Sequence, residues 1–198
     1  KKSTLLVKDR ILQEVNNENF NLLDEINIIE ITKSTNLDAK NSFRKNQNSI
    51  SAFFAEQQTA GKGRNNRRWI SPFGKNLYFS LAWRSKVAAA RLQGLSLAVA
   101  VEVSKSLNKF SSENIKIKWP NDLFIHDKKL GGILIESSSS TKNQTEVVIG
   151  IGINIYMTRE EGKNIDQNWV SLNSYLKKKT DRNKVAGSIL DRMIRLTV

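Results

Sequence analysis

The stretch QQTAGKGRNNRRW (57–69) concentrates glycines and cationic side chains in a pattern that suits phosphate chemistry. Glycine lets backbone N–H groups approach an anion closely, and the planar arginine fork matches phosphate oxygens. Trp69 adds an aromatic face for a base. The stretch is not a Walker motif, because no Ser or Thr follows Lys62, and it lacks the third glycine of a dinucleotide fingerprint. A phosphate cradle, a nucleic-acid patch and a solvated basic loop are all compatible with it.

Two further motifs place an isolated lysine beside a turn or a glycine pair. In KWPND (118–122) the polar residues could support phosphate, or the Pro-Asn pair could simply end an edge strand. In KLGG, Lys129 precedes the pair Gly131-Gly132, and glycine inside a strand often marks close approach by a ligand or another backbone. Lys129 would bring positive charge to a carboxylate or phosphate; the alternative is an ordinary exposed hairpin lysine.

Two other motifs could shape a binding surface. Gly150 and Gly152 recur at the two-residue strand period, so they share one sheet face and would leave a flat floor there. The isoleucines at 149, 151 and 153 would fill the opposite face. The same glycines would also serve tight packing of a helix on the sheet. Asn154 could read a ribose or base, and Ser34-Thr35-Asn36 could bind a ligand or cap a helix.

The residue types exclude several kinds of chemistry. The chain has no cysteine and a single histidine, His126, so thiolate sites, disulfides and histidine clusters are excluded. No catalytic triad or carboxylate pair is evident. The remaining pattern, bare-backbone strand positions with isolated cations, is what acyl adenylation requires, because a carboxylate must be held against an α-phosphate while cations stabilise the transition state. Mg²⁺ would accompany the leaving pyrophosphate.

Length and charge narrow the class of protein further. The 198 residues suit one substantial domain, and no apolar run is long enough for a membrane span. The N-terminal residues have no apolar core of a secretory signal, and the lack of cysteine fits a cytoplasmic location. The net charge of +13 is spread along the chain, so we interpret it as solvation that also attracts polyanionic ligands or an acidic partner.

Hydrophobic periodicity predicts the elements that must position these motifs. Helical spacing predicts helices over 4–16, from Ser34 to about 45, over 88–109 and near 183–196. Short apolar or alternating runs predict strands at 26–31, 51–57, 76–84, 115–120, 122–125, 130–137 and 147–155. The segments 126–129 and 137–144 are predicted as a hairpin turn and a polar loop. The order predicts an α+β fold with a mixed, mainly antiparallel sheet backed by helices, and not a doubly wound nucleotide fold.

In this order the motifs resemble the catalytic domain of bacterial biotin–protein ligases. The resemblance rests on Ser34-Thr35-Asn36, QQTAGKGRNNRRW, SPFGKNLYFS, KWPNDL, KKLGGILIE and GIGIN, and it covers about residues 27–156. It implies a fold like that of class II aminoacyl-tRNA synthetases and biotin ligases. It also implies an enzyme that joins biotin to ATP as biotinyl-5′-AMP and transfers biotin to one lysine of the biotin carboxyl carrier protein of acetyl-CoA carboxylase.

The resemblance also implies roles for individual residues. Lys129 would lie by the biotin carboxylate and α-phosphate as the first candidate for an essential residue, with Arg64 as a second catalytic residue. The implied biotin-binding residues are Ser34, Thr35, Asn36, Gln58, Lys62, Gly63, Arg64, Lys129, Gly131, Gly132, Gly150 and Gly152. The implied ATP- or adenylate-binding residues are Gly61, Arg67, Trp69, Lys118, Asn121 and Asn154. Asp122 is the implied Mg²⁺ ligand.

Within this pattern the loop departs from the family's common GRGRRGRxW at Lys62, Asn65 and Asn66. Lys62 keeps the positive charge but loses the guanidinium fork, and Asn66 stands where the family has glycine. Asparagine tolerates left-handed backbone angles better than most residues, so we expect altered closure with the chemistry retained.

The resemblance further predicts the domain organisation and partners. Residues 1–25 would be a helical lead-in without a complete DNA-binding domain, 26–198 the catalytic domain, and the family's usual small C-terminal β-barrel would be absent from this chain. DNA or membrane binding is not expected, and a homodimer is compatible with the family. The alternatives are a lipoate or octanoyl ligase of the same fold, or a basic nucleic-acid-binding module.

Overall fold

The computed structural model describes residues 4–44, 50–88, 92–141 and 144–197. These residues form one seven-stranded sheet with helices packed on it. In the sheet the strands lie in the order β1-β2-β3-β7-β6-β5-β4. The pair β1–β2 is parallel and the other neighbouring pairs are antiparallel, so the predicted mixed, mainly antiparallel sheet is confirmed. The strands are β1 (Glu25–Thr32), β2 (Ser51–Gln58), β3 (Leu77–Ser85), β4 (Lys116–Lys118), β5 (Asp122–Ile125), β6 (Lys128–Thr141) and β7 (Gln144–Ile153).

Helices cover both faces of this sheet. They are α1 (Lys8–Leu12), α2 (Asn17–Leu22), α3 (Thr35–Ser42), α4 (Leu95–Asn108) and α5 (Arg182–Ile194). α4 and α5 pack on one face, α1 and α2 pack on α5, and α3 packs on the opposite face. Because α3 also connects the parallel strands β1 and β2, it forms the crossover that a parallel pair requires. In the described residues no helix combines the length and the apolar character needed to cross a membrane.

The central strands are divided into two faces by the alternation of their side chains. On β7 the isoleucines 149, 151 and 153 join the large core under α4 and α5, as the sequence predicts. Val148, on the other face, packs with Ala39 and Phe43 of α3 and with Ala82 of β3. This second core lies beside one half of β7 only. The glycine-containing half of the same face is left for the candidate site.

The helices near the N-terminus and in the middle of the chain differ in extent from the prediction. Within the helix expected over 4–16 only α1 (Lys8–Leu12) is helical, and a second short helix, α2, follows after a turn. The helix expected over 88–109 begins only at Leu95, because Gly94 takes the N-cap position and the turn before it is not α-helical. Residues 89–91 of that prediction lie outside the described part of the chain.

The prediction of a polar loop over 137–144 is wrong. β6 continues to Thr141 and β7 begins at Gln144, so most of this segment is paired strand. Ser137, Ser138 and Ser139 are exposed. Ladder hydrogen bonds use backbone groups, and therefore an exposed hairpin can form from serines that lack the apolar alternation of a half-buried strand.

A buried ion pair connects the N-terminal segment to the sheet and to α5. The Arg182 guanidinium lies 2.6 Å from the Glu56 carboxylate, with side-chain exposures of 0% and 4%. Arg182 also donates to the backbone oxygens of Asn76 (2.8 Å) and Thr4 (2.9 Å). Asn183, the next residue, donates to the backbone oxygen of Leu5. The first helices are thereby held against the same body as β2 and β3.

Arg182→Met tests how much this pair contributes to folding. The substitution leaves the Glu56 carboxylate buried without its cation, so the free energy of unfolding is expected to fall by about 3–5 kcal/mol. Urea denaturation at neutral pH measures the change. The control is Glu160→Gln in the exposed pair with Lys163, where a change below about 1 kcal/mol is expected. Equal effects for the two variants would contradict this interpretation.

Candidate active site

A cavity of about 830 Å³ opens on the glycine-containing half of the sheet. Its walls come from the start of α3, the loop between β2 and β3, strands β5 to β7 and the segment 164–169. Most of the residues singled out in the sequence line it, although they come from distant parts of the chain. These are Ser34, Thr35, Asn36, Gln58, Lys62, Gly63, Arg64, Arg67, Trp69, Asn121, Asp122, Lys129, Gly132, Gly150, Gly152 and Asn154.

The loop after β2 is a small hairpin that arches along the cavity. Gly63 N–H donates to the backbone oxygen of Arg67 (2.8 Å), and Trp69 N–H donates to that of Gly61 (2.9 Å). Asn65 and Asn66, at its tip, have φ values of 53° and 59°. A two-residue hairpin turn with positive φ at both central positions favours asparagine or glycine. The expected tolerance of Asn66 for left-handed angles is thus confirmed, and Asn65 shares it.

Three glycines share the sheet face that forms the cavity floor. Gly132 of β6 pairs directly with Gly152 of β7, and Gly150 lies two residues further along β7. The floor is not bare, however. A Cβ on Gly150 would lie 2.2 Å from the Asn36 amide, and a Cβ on Gly152 would lie 2.6 Å from the Trp69 indole. The missing Cβ atoms therefore allow two cavity side chains to rest directly on the sheet.

The Trp69 indole is held between the glycine floor and a cation. Lys129 Nζ lies 5.7 Å from the indole ring centroid, a cation–π distance, and 2.9 Å from Asp122 Oδ1. The Trp69 Nε1–H group is buried and has no hydrogen-bond partner among the described residues. Since an unpaired buried donor is unfavourable, a ligand acceptor at this position would stabilise the indole where it lies.

A polar network forms the wall between α3 and the floor. Ser80 Oγ lies 2.6 Å from Asn36 Oδ1 and 2.7 Å from Thr35 Oγ1. Gln58 Oε1 accepts from the Thr35 backbone N–H (2.9 Å), which places its amide nitrogen toward Ser71. Ser34 occupies the N-cap position of α3, as predicted, but its side chain makes no capping hydrogen bond. Its hydroxyl is not engaged in holding the helix, and the residue lies on the cavity wall.

Glu136 of β6 closes this network from outside the cavity. Its carboxylate accepts from Asn36 Nδ2 (2.7 Å) and is ion-paired with Lys40 of α3. Burial acts to raise the pKa of Glu136, but the hydrogen bonds from Lys40 and Asn36 outweigh it and hold that pKa below its usual value. The carboxylate is therefore ionised at neutral pH.

Three of the predicted site residues do not line the cavity. Gly131 points to the opposite face, where a Cβ would meet Ile153, because successive strand residues alternate in direction. Lys118 lies on the edge strand with its ammonium over Phe124. Gly61 forms the base of the hairpin, where a Cβ would come within 2.9 Å of the Gln58 side chain.

Sequence reasoning missed the segment 164–169, which supplies a further wall of the cavity. Lys129 N–H donates to the backbone oxygen of Asn168, and Val170 N–H donates to that of Lys129, so the segment is bridged to β6. Asn154 Nδ2 donates to the backbone oxygen of Val170 (3.3 Å), which uses the amide that was expected to read a nucleotide. The overlooked signal was Trp169, an aromatic residue in a polar stretch, which packs on Gly162. The missed lining residues are Asn164, Ile165, Asp166, Gln167 and Trp169.

The fold and cavity define an α+β ligand-binding domain with a cationic site on a glycine-rich sheet face. The chain belongs to the biotin/lipoate A/B protein ligase family, whose model matches residues 28–154. It is 37% identical over 189 residues to the bifunctional ligase/repressor BirA of Salmonella typhimurium, covering 96% of this chain and 57% of that protein. It is 41% identical over 139 residues to BirA of Escherichia coli, covering 70% of this chain and 43% of that protein.

A solved structure of a biotin protein ligase has a similar fold. The biotin protein ligase from Aquifex aeolicus, in complex with biotin and ATP, superposes with a TM-score of 0.69 at 28% identity. The match covers 88% of this chain and 70% of that one. The chain thus spans only about half the length of the two BirA proteins that it matches.

Gly152→Ala tests the close packing of Trp69 on the sheet. The added methyl group would overlap the indole, so we expect the free energy of unfolding to fall by about 1–3 kcal/mol, the usual cost of overpacking. Gly94→Ala is the matched control, because nothing lies within 4 Å of a Cβ there. Urea denaturation of both variants makes the comparison, and an equal, small loss in each would show that Trp69 does not rest on Gly152.

Proposed function

We propose that this chain activates biotin with ATP as biotinyl-5′-AMP and transfers the biotinyl group to a lysine of a biotin carboxyl carrier protein. The observation that carries the proposal is the convergence of Lys62, Arg64 and Lys129 on one glycine-floored cavity in a member of this family. The Aquifex aeolicus relative, described in complex with biotin and ATP, supports it.

We assign the ring of biotin to the polar end of the cavity. Thr35, Asn36 and Gln58 supply hydrogen-bonding groups there, and Ser34 adds a hydroxyl that does not cap α3. A ureido ring carries both N–H donors and a carbonyl acceptor, so it requires a mixed polar lining. The valeryl chain then extends across the cavity and brings its carboxylate toward Lys129.

The cationic end of the cavity suits the phosphate chemistry. A biotin carboxylate oxygen attacks the α-phosphorus of ATP, the bond to the leaving oxygen breaks, and pyrophosphate departs. Lys129 neutralises charge that develops between the carboxylate and the α-phosphate, and Arg64 and Arg67 contact phosphate oxygens. The carrier lysine amine later attacks the activated carbonyl, which releases AMP and a proton. Trp69 is the residue that we assign to the nucleotide, together with the carbonyl oxygen of Asn154, whose amide nitrogen is used by Val170.

Mg²⁺ would arrive with ATP and neutralise charge on the leaving pyrophosphate. The described residues contain no group of three His, Cys, Asp or Glu side chains that could hold a metal ion alone. One or two carboxylates together with substrate phosphates are, however, the usual protein environment of Mg²⁺. Asp122 fits that role, and Lys129, its ion-pair partner, would then be released toward the substrate carboxylate.

The hairpin loop is positioned to cover the activated intermediate. Lys62, Gly63 and Arg64 line the cavity, and Arg64 Nη1 lies 3.5 Å from Asn121 Oδ1. This contact links the loop to the turn before β5. Retaining the adenylate under the loop would protect it from water until the carrier lysine arrives. The lack of DNA binding and the cytoplasmic location stay predictions from the sequence, and a homodimer stays compatible with the family.

Ligand titration and pyrophosphate exchange test the proposed function together. Isothermal titration with biotin should show binding, and ATP–pyrophosphate exchange should depend on biotin. Tight binding of lipoate with no response to biotin would favour a lipoate ligase of the same family. Salt-dependent oligonucleotide binding without any exchange would favour a nucleic-acid module.

Lys129→Ala should lower biotin-dependent pyrophosphate exchange at least about a hundredfold, the scale of losing one charge-stabilising contact in a transition state. The control is Lys116→Ala, which removes an exposed lysine of β4 outside the cavity and should leave exchange unchanged. Near-normal exchange in the Lys129 variant would refute its proposed role.

Arg64→Gly should weaken retention of the adenylate, because the loop loses both its contact with Asn121 and a phosphate ligand. Activated biotin would then escape and label lysines of unrelated proteins. The measurement is biotin incorporation into a bystander protein compared with the carrier. Unchanged selectivity would contradict the role of the loop as a cover.

A further inference from the structure

We propose that Glu136 is a positioning residue that fixes the hydrogen-bond polarity of the cavity wall and thereby selects a ring bearing N–H groups. This inference rests on the proposed function, because it concerns the biotin end of that site. Glu136 itself is outside the cavity lining, and its hydrogen-bonded link to the wall is Asn36, which contacts both the carboxylate and Ser80.

The Glu136 carboxylate fixes the orientation of the Asn36 amide. An ionised carboxylate can only accept hydrogen bonds, so the Asn36 atom 2.7 Å from it must be the amide nitrogen. The carbonyl oxygen Oδ1 must then face Ser80, at 2.6 Å. Gly150 is essential to this arrangement, since a Cβ there would overlap the Asn36 amide.

The orientation of Asn36 in turn determines which groups of Ser80 and Thr35 donate and which accept. Ser80 has one hydroxyl proton, and with Oδ1 beside it that proton goes to Asn36. The Thr35 hydroxyl proton then has two acceptors within the wall, the Ser80 oxygen at 2.7 Å and Gln58 Oε1 at 3.2 Å. Gln58 Oε1 also accepts from the Thr35 backbone N–H, so in either case the Thr35 proton is used inside the network. The remaining lone pairs of Thr35 Oγ1 and Asn36 Oδ1 are then acceptors on residues that line the cavity.

These acceptors determine which kind of ligand ring the wall can bind. A wall that offers acceptors pairs with the N–H groups of a ureido ring. A dithiolane ring, as in lipoate, has no N–H group and leaves those acceptors without partners. A site built around buried polar groups rejects ligands that leave them unpaired far more strongly than an apolar pocket rejects a size change. Glu136 is thus placed to favour biotin over lipoate.

Lys40 supports this arrangement without touching the cavity wall. Its ammonium pairs with the other carboxylate oxygen of Glu136, not with the one that accepts from the Asn36 amide. Removing it leaves the Asn36–Glu136 hydrogen bond in place. Lys40→Met therefore separates the effect of the nearby charge from the effect of the amide orientation.

The test compares Glu136→Gln with an exchanged pair that combines Asn36→Asp and Glu136→Gln. A glutamine can donate as well as accept, so in the single variant the Asn36 amide loses its fixed orientation. The dissociation constant for biotin should then rise about tenfold, the result of about 1.4 kcal/mol. In the exchanged pair, the introduced glutamine amide donates to one oxygen of the introduced aspartate, and the other oxygen accepts from Ser80. Biotin affinity should return to within about threefold of wild type.

Isothermal titration with biotin and with lipoate, and pyrophosphate exchange for KM and kcat, provide the readouts. For Glu136→Gln we expect a higher KM for biotin, an unchanged kcat and a smaller preference over lipoate. Lys40→Met should bind biotin as wild type does. Should Glu136→Gln not fold, Asn36→Asp alone replaces it, because it places two carboxylates face to face and should also bind weakly.

Wild-type affinity in Glu136→Gln would overturn the inference, and so would an exchanged pair no better than the weak single variant. A mere structural role for Glu136 would lower kcat and thermal stability together and would not be rescued by the exchange. If the unmodified protein fails to bind biotin at all, the proposed function is wrong and this inference fails with it. If wild type binds biotin but the variants do not show the expected changes, the proposed function stands and only this inference is wrong.

Discussion

The absence of Cβ atoms on one half of one sheet face is the constraint on which the site depends. Side chains at Gly150 and Gly152 would occupy the space now filled by Asn36 and Trp69. Because these two residues can lie directly on the backbone, the hairpin loop and the start of α3 approach the sheet closely. The cavity, its cations and its polar wall all follow from that approach.

The rest of the fold supplies the rigidity that such an open face requires. The opposite face of the same strands is packed by α4 and α5, and α3 closes the other half of the glycine face with a small apolar core. The buried pair of Arg182 and Glu56 ties the N-terminal segment to β2, two residues before Gln58. The cavity residues on β5 to β7 and at the start of α3 thereby extend from elements whose positions are set by packing, as precise positioning requires.

Much of the fold could be predicted, because apolar alternation and periodicity record burial directly. The strands of the centre, the two-faced pattern of β7 and the final helix follow from it. The start of α4 could not be predicted, because Gly94 interrupts an apolar pattern that continues on both sides. The serine hairpin could not be predicted either, because backbone pairing needs no apolar side chains. Within the site, Gly131 was misplaced beside Gly132, since adjacent strand residues point to opposite faces.

The sequence by itself determined which residue types could act together: glycines at strand spacing, isolated lysines and arginines, and asparagines able to adopt positive φ. These properties are local, so they can be identified without coordinates. Only the tertiary structure decided that Trp69 rests on Gly152, that Lys129 is paired with Asp122, and that Glu136 orients Asn36 from 100 residues away. Those contacts depend on strand register and on which face each side chain takes, and both are settled only when the whole sheet is assembled.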